Sequence, residues 1–496
     1  MKILADLLAP LAHEVRQRPS CRKAAPCFCG RGNPKDRNKM VKKIGIKPQK
    51  SSEFPWIIME NHYYRPRICD AILQRMLRTS GAVLVSGPGR CGKTSTAAHA
   101  AGSALFLQDP ERRSGYLRMA QTQPSFLLRG EKPRLLDEWQ DALILWDAVR
   151  FAVDQTPGMG QFILTGSVSP DWDKEFMAGK GGSGADESQK IRHTGTGRIA
   201  EMMMRPMSLR ESGESDGTVS LKRLFDGQSD VAAESRITLE DLAYAICRGG
   251  WPESMDMEKS SALESVRDYA DALCRRDLSA ADGSRKNPDR AGAILRSLSR
   301  HISSMTSSRT IMQDVRASGI SLTDKTLEVY LSALRRLFIV EDIRAWQPHL
   351  RSMTKIRASA KRQLCDPSIA AAALGMGPED ILNDFEHFGF LFESLCARDL
   401  RVYTEPLRGT VRHYSDSRGL KADLIVTLGD GRWAAADVRL GSDETEEGAR
   451  DLIRLAGDID TERLRAPSFL MVITGGGFAY RRSDGVFVVP VGCLKD

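Results

Sequence analysis

Residues 87–94 read Gly87-Pro88-Gly89-Arg90-Cys91-Gly92-Lys93-Thr94, the spacing G-x-x-x-x-G-K-[ST], and this stretch decides the fold of the first half of the chain. Glycines at both ends let successive backbone N–H groups turn inward around a phosphate, at the positive end of the helix that follows. Lys93 has the reach to meet the outer phosphates of a nucleoside triphosphate, and the Thr94 hydroxyl can ligate Mg²⁺. The flanks agree. Ala82-Val83-Leu84-Val85 is a short apolar run suited to a buried parallel strand, and Thr94 to Ala101 is small and Ala-rich, a fair helix. The nucleotide-contacting set expected here is Gly87, Pro88, Gly89, Arg90, Cys91, Gly92, Lys93, Thr94 and Ser95, with ATP and Mg²⁺ as ligands.

Downstream, Ala104-Leu105-Phe106-Leu107 reads as a second strand, and Pro133-Arg134-Leu135-Leu136-Asp137-Glu138 as a third ending in two carboxylates. In that position Asp137 would hold Mg²⁺ through water, and Glu138 could polarise the attacking water. An amphipathic stretch follows (Leu143, Trp146, Val149, Phe151, Val153), then a further strand from Gln161 to Thr165 that runs into Thr165-Gly166-Ser167. Strand, phosphate loop, helix, strand, carboxylates, helix and strand together predict a parallel sheet covered by helices on both faces. Gly179 to Gly184 is a Gly-rich insertion of the kind that is mobile. Arg198, in His193-Thr194-Gly195-Thr196-Gly197-Arg198-Ile199, is a candidate for stabilising transition-state charge, in cis or across a subunit interface. The alternative is an arginine of the ordinary surface.

The order of Gly87–Thr94, Leu135–Glu138, Phe162–Ser167, Gly197-Arg198-Ile199, Arg205-Pro206-Met207-Ser208-Leu209 and Gly249-Gly250-Trp251-Pro252-Glu253 resembles a prokaryotic family of AAA-type P-loop ATPases. Members of that family carry a C-terminal domain of unknown function related to restriction-endonuclease-like folds. The resemblance covers residues 60–475 and implies ATP binding and hydrolysis. It also implies that a polar side chain after the fourth strand, Thr165 or Ser167, lies between Asp137 and the γ-phosphate.

Composition bounds the rest. The chain has 496 residues, 41% hydrophobic and 27% charged, as ordinary globular proteins have, and its length fits about three domains. No apolar run is long enough to cross a bilayer and no signal-peptide pattern is present, so the expected location is cytoplasmic, with no membrane partner. The ten cysteines are scattered, and a disulfide at Cys91 would obstruct the phosphate loop, so reduced thiols are expected. Cys21, Cys27 and Cys29 lack a fourth nearby ligand for a closed zinc site. The net charge of +8 is a property of one end. Residues 1–50 hold 13 Lys and Arg against 3 Asp and Glu, leaving 59 against 61 in the remainder. That basic stretch reads as a disordered leader or as a binder of anionic polymers. Met59 opens a segment that reads like a start, so residues 1–58 are expected to be an over-called extension.

The expected organisation is a leader (1–58), an ATPase domain (59–215), a helical lid or connector (216–300), a winged-helix-like unit (301–365) and a restriction-endonuclease-like α/β domain (366–496). In the winged unit, Thr310–Ala317 and Thr323–Leu337 read as helices and Phe338-Ile339-Val340 as a strand. The outward residues Lys325, Glu328, Arg335 and Arg336 are a mixed set rather than the basic stripe of a DNA reader. In the last segment a helix bearing Glu393, a strand bearing Asp423 and a strand bearing Asp437 occupy the places where restriction-endonuclease-like folds converge on one metal. Arg439 stands where those folds have lysine. A guanidinium stays charged and transfers no proton at neutral pH, so a remnant or a binding surface without cleavage is expected. The sequence therefore reads as an Mg²⁺-dependent ATPase with Lys93, Glu138 and Arg198 as candidate catalytic residues, Thr94 and Asp137 on the metal, and Thr165 beside the nucleotide. Its alternatives are a nucleotide-gated scaffold with negligible turnover and a metal-dependent nuclease. ATP is the expected small partner, joined by an unidentified protein or DNA, and the oligomeric state is open.

Overall fold

Five short strands pair in parallel to form the first sheet: β1 (Ala82–Ser86), β2 (Ser103–Phe106), β3 (Arg134–Asp137), β4 (Phe162–Gly166) and β5 (Ile199–Met203), in the order β2-β3-β4-β1-β5. The structure is a computed structural model describing residues 64–169, 194–281, 283–348, 355–441 and 444–496. The expectations for the basic leader, its three cysteines, the start at Met59, and the Gly179–Gly184 insertion lie outside the described residues.

Every residue of β1 and β4 is buried, which requires cover on both faces. The two-residue period of a strand divides them. Val83, Val85, Leu135 and Ile163 join the core under helix Ile68–Leu77, while Leu84, Leu136, Phe162 and Leu164 meet Leu145, Trp146 and Val149 of helix Ile144–Gln155. Strand–loop–helix order and sheet layering are those of a P-loop NTPase. In register, Ser86 lies between Gly166 and Met203, so the loops leaving β1 and β4 open at the same edge of the sheet.

The segment after β5 departs from the expectation of a purely helical connector. It contributes β6 (Val219–Ser220) and β7 (Ala233–Glu234) before the helices Leu239–Arg248, Lys259–Ala272 and Pro288–Arg300. Alternation over two residues is too short to show in a sequence, so these strands are visible only through their partners. The break at Gly249-Gly250 has a steric cause: a Cβ on Gly250 would come within 2.1 Å of the Met207 carbonyl oxygen, and Gly249 has φ +72. Helices Ser308–Ala317 and Asp324–Arg336 follow, their first turns capped by the side chains of Ser307 and Thr323. The strand expected at Phe338–Val340 shrinks to bridges, Val340 with Leu364 and Ile343 with Lys361, because Phe338 turns the chain at φ +59.

The last sheet contains β8 (Thr410–Ser415), β9 (Lys421–Thr427), β10 (Trp433–Arg439), β11 (Leu470–Thr474), β12 (Phe478–Arg481) and β13 (Phe487–Pro490), in the order β7-β12-β13-β11-β10-β9-β8. Neighbours from β8 to β10 are antiparallel, whereas β10, β11 and β13 are parallel. Leu424, Val426, Ala434 and Ala436 face helix Phe385–Thr404, and Ile425, Trp433 and Ala435 face helix Thr445–Asp458. A final pair joins β14 (Leu494–Lys495) to β6. Among the described residues no helix is long and apolar enough to cross a membrane.

Candidate nucleotide site

The loop between β1 and helix Lys93–Ala100 is shaped by its glycines. A Cβ on Gly87 would sit 2.1 Å from the Met204 carbonyl oxygen, and Gly92, preceding the helix, is left-handed at φ +99. Lys93 opens the helix and is almost wholly buried; its Nζ donates to the Pro88 carbonyl at 2.8 Å, which folds the ammonium over the loop. One residue on, Thr94 Oγ1 donates to Asp137 Oδ1 at 2.8 Å, and Thr165 Oγ1 donates to the same oxygen at 2.6 Å. Burial pushes the Asp137 carboxyl above its ordinary range, with the two threonine hydroxyls working against that shift.

Glu138 follows in a left-handed conformation, φ +52. Its N–H donates to Thr165 Oγ1 at 3.2 Å, and its Oε2 accepts from Ser167 Oγ at 2.9 Å and from Gln140 Nε2. Lys93, Thr94, Asp137, Glu138 and Thr165 thus meet at one edge of the sheet, from three different strand ends. The hydroxyl of Thr94 and the carboxylate of Asp137 form a hard-oxygen donor set, the kind Mg²⁺ takes alongside water and phosphate.

Other expected residues sit differently. The Arg90 side chain leaves the loop and donates from Nη2 to Glu253 Oε2 at 3.0 Å and to Ser265 Oγ at 2.7 Å. Cys91 buries its thiol towards the Met204 carbonyl, so both residues face the loop interior through backbone only. Ser95 is exposed on the helix. Arg198 is not brought to the cluster. It precedes β5, its carbonyl accepts from Ala82 N at 3.0 Å, and its guanidinium pairs with Asp154 at 2.9 Å. Ala82 begins β1 and the phosphate loop follows its other end, so the sheet separates Arg198 from Lys93 and a role in cis is corrected.

One residue that sequence reading missed supports the loop from below. Arg67 is buried and donates from Nη1 to the Cys91 carbonyl at 2.9 Å, from Nη2 to the Arg205 carbonyl at 2.8 Å, and from Nε to Glu211 at 3.0 Å. Its partners lie 24, 138 and 144 residues away, so no local pattern could have signalled it.

The C-terminal carboxylates do assemble, around an unexpected cation. Lys361 Nζ donates to Glu393 Oε1 at 2.7 Å and to Asp423 Oδ1 at 2.9 Å, while Arg439 Nε donates to Asp437 Oδ2 at 2.6 Å. Burial pushes Glu393 up to about 8, and burial together with Asp423 pushes Asp437 up to about 7. Asp423, although buried, is held below its ordinary range by the Lys361 ammonium. Among the described residues no group of three or more His, Cys, Asp or Glu side chains is placed to hold a metal ion. The ammonium lies between the two carboxylates instead. A cleft of about 470 Å³ opens beside them, lined by Phe385, Phe390, Lys421 and Arg439 among others. Lys361 was not legible as part of this group because its segment shows only a single bridge with Ile343.

The domain of unknown function described as DUF8612 matches residues 239–380, and the one described as DUF4143 matches residues 388–494. No curated protein matches the chain. Among solved structures, the chain is similar to the Walker-type ATPase PABY2304 of Pyrococcus abyssi, at 16% identity over 65% of this chain and 99% of that one, with a TM-score of 0.38. It is similar also to the FIGL-1 AAA domain in complex with ADP, at 13% identity over 60% and 97% of the two chains, with a TM-score of 0.24. A third is the signal transduction ATPase with numerous domains PH0952 of Pyrococcus horikoshii, which carries a tetratricopeptide repeat sensor. The identity is 13%, the coverage 68% of this chain and 48% of that one, and the TM-score 0.21.

Proposed function

We propose that the chain is an Mg²⁺-dependent ATPase that passes its nucleotide state to its C-terminal segments. The observation that carries this reading is the meeting of Thr94, Asp137 and Thr165 on one carboxylate oxygen, at 2.8 and 2.6 Å, with Lys93 and Glu138 beside it. Backbone N–H groups from Gly87 to Thr94 bind phosphate oxygens, and Lys93 leaves the Pro88 carbonyl to neutralise the outer phosphates. Mg²⁺, when bound, supplies Lewis-acid stabilisation of phosphate charge, and Thr94 and Asp137 are the residues to hold it. Thr165 orients Asp137 and the backbone of Glu138. The Glu138 carboxylate takes the proton of the attacking water. Arg198 could serve only a neighbouring copy of the chain.

Transmission is supported by the segment 205–211, which touches both ends of the path. Arg67 ties the Cys91 and Arg205 carbonyls together, while Leu209 N donates to Asp399 Oδ2 at 3.0 Å and Arg210 N to the Tyr403 hydroxyl at 3.1 Å, both on helix Phe385–Thr404. The proposed functional division is 59–215 for nucleotide, 216–300 as connector, 301–365 as a winged-helix-like unit and 366–496 as an effector domain. Single-turnover hydrolysis of radiolabelled ATP tests the reading: phosphate release by wild type, lost in Glu138→Gln, is expected. Tight ATP binding with no release would favour the gated scaffold instead.

For the effector domain, a role without cleavage fits the ammonium of Lys361 between Glu393 and Asp423. Plasmid incubated with Mg²⁺ or Mn²⁺ should remain intact with wild type and with Arg439→Lys. Cleavage by wild type that is lost in Asp423→Ala would replace this reading by a nuclease.

A further inference from the structure

The carboxylate of Glu138 is restrained by a loop that another part of the chain grips. Its Oε2 accepts from Ser167 Oγ at 2.9 Å, from Ser167 N at 3.4 Å and from Gln140 Nε2. Gly166 makes room for this arrangement, since a Cβ there would meet Gln140 Oε1 at 3.1 Å and Trp139 Nε1 at 3.2 Å. Two residues beyond Ser167, the Ser169 N–H donates to the Arg336 carbonyl at 2.8 Å and Arg336 Nε donates to the Ser169 carbonyl at 3.0 Å. Arg336 is the last residue of helix Asp324–Arg336, so this helix end is stapled to the loop that holds Glu138. Sequence patterning places Arg336 among the outward residues, but the structure sets it against Ser169, in the loop after β4.

We infer that Ser167 is a positioning residue that gates Glu138, and that the gate is operated from helix Asp324–Arg336. This rests on the ATPase reading above. Glu138 Oε2, accepting from three protein donors, is withdrawn from water, because each donor occupies a lone-pair direction that a water proton would need, and those bonds fix where the second oxygen, Oε1, points. Releasing the carboxylate requires Ser167 to move, and Ser169 cannot follow while both bonds to Arg336 hold. A shift of the helix end therefore frees the base, and a nucleotide that draws Glu138 towards its water pulls on the helix in return, as linkage demands. The alternative is that Ser167 aligns Glu138 productively, and the two make opposite predictions.

The test is steady-state ATP hydrolysis by the full chain, with ATP affinity measured separately by calorimetry. The gate requires Ser167→Ala to raise kcat by about tenfold, the scale of one hydrogen bond to a charged group, with KM and ATP affinity unchanged. Ser167→Thr, which keeps the hydroxyl, should remain near the wild-type rate. Arg336→Gln should raise kcat by less, and the double variant should match Ser167→Ala alone, because both act on one restraint. An unchanged or lowered kcat in Ser167→Ala, with ATP still bound, overturns the gate and leaves the ATPase reading standing. Additive effects in the double variant overturn the link to the helix. A wild type that binds no ATP overturns both.

Discussion

Asp137 Oδ1 accepts two hydroxyl protons in a buried setting, and the proposed nucleotide site places its cation ligands around that oxygen. Thr94 and Thr165 work against the rise that burial would otherwise impose, favouring the ionised form that a divalent cation needs. Two single substitutions separate binding from turnover. Lys93→Ala should abolish ATP binding measurable by calorimetry while leaving the circular-dichroism melt in place, since the ammonium bonds to a loop carbonyl and does not pack the core. Equal ATP affinity in the variant and wild type would remove Lys93 from the site. Glu138→Gln keeps the shape and the contact with Ser167 but cannot take a proton, so ATP should bind at wild-type affinity and hydrolysis fall by at least a hundredfold. Turnover at the wild-type rate would take Glu138 off the list of bases.

At the scale of elements, the cluster on helix Phe385–Thr404, β9 and β10 sets three carboxyl groups against two cations, Lys361 on Glu393 and Asp423 and Arg439 on Asp437. Lys361→Met leaves Glu393 and Asp423 facing each other without a cation, and a broken buried pair costs about 3–5 kcal/mol. Urea denaturation above pH 8, where Glu393 is ionised, should show that loss. Adding Glu393→Gln to Lys361→Met should recover part of it, because one buried charge is then removed. A single variant as stable as wild type would mean that the ammonium contributes nothing to this cluster. Sequence reading found the helix and both strands here but assigned the cationic role to Arg439, which contacts Asp437. The lysine nearest Glu393 and Asp423 comes from a bridge segment with no strand pattern of its own.

Across the whole molecule, a charge network joins the segment after β5 to the C-terminal half. Arg205 pairs with Glu341 at 2.6 Å and with Glu405 at 3.5 Å. Burial opposes it, but Arg205 and Arg401 hold Glu341 down at about 2, whereas burial pushes Glu405 up to about 7. The signs are opposite. Glu341 contributes stability above its ordinary value near 4.5, and loses it as pH falls towards 2. Glu405 contributes fully below 4.5 and loses that contribution as pH rises through 7. The network should therefore be firmest near pH 5. Between pH 5 and 8 the melting temperature should fall, by the equivalent of about 2 kcal/mol from Glu405. Glu405→Gln should reduce that slope by Glu405's share, leaving the part from Glu393 and Asp437, and an identical slope in the variant would remove Glu405 as a source.

The sequence by itself determined four of the five strands of the first sheet and the glycine-rich loop after β1, but not β5. Gly87, Gly92, Lys93 and Thr94 are fixed by local geometry, the apolar runs at Ala82–Val85 and Phe162–Leu164 are long enough to announce buried strands, and Leu135-Leu136 is legible by its place before two carboxylates. Asp137 and Glu138 were legible by the same pairing, because they end that run. Only the tertiary structure decided that Arg198 stands across the sheet from Lys93, since parallel register and not chain order sets which end of a strand a residue occupies. It alone placed Arg67 under the loop, Arg336 against Ser169, and Lys361 between Glu393 and Asp423. Each of these is a long polar side chain meeting partners far away in the chain. Hydrophobic periodicity reports which face of an element is buried, but it carries no information about where such a side chain ends.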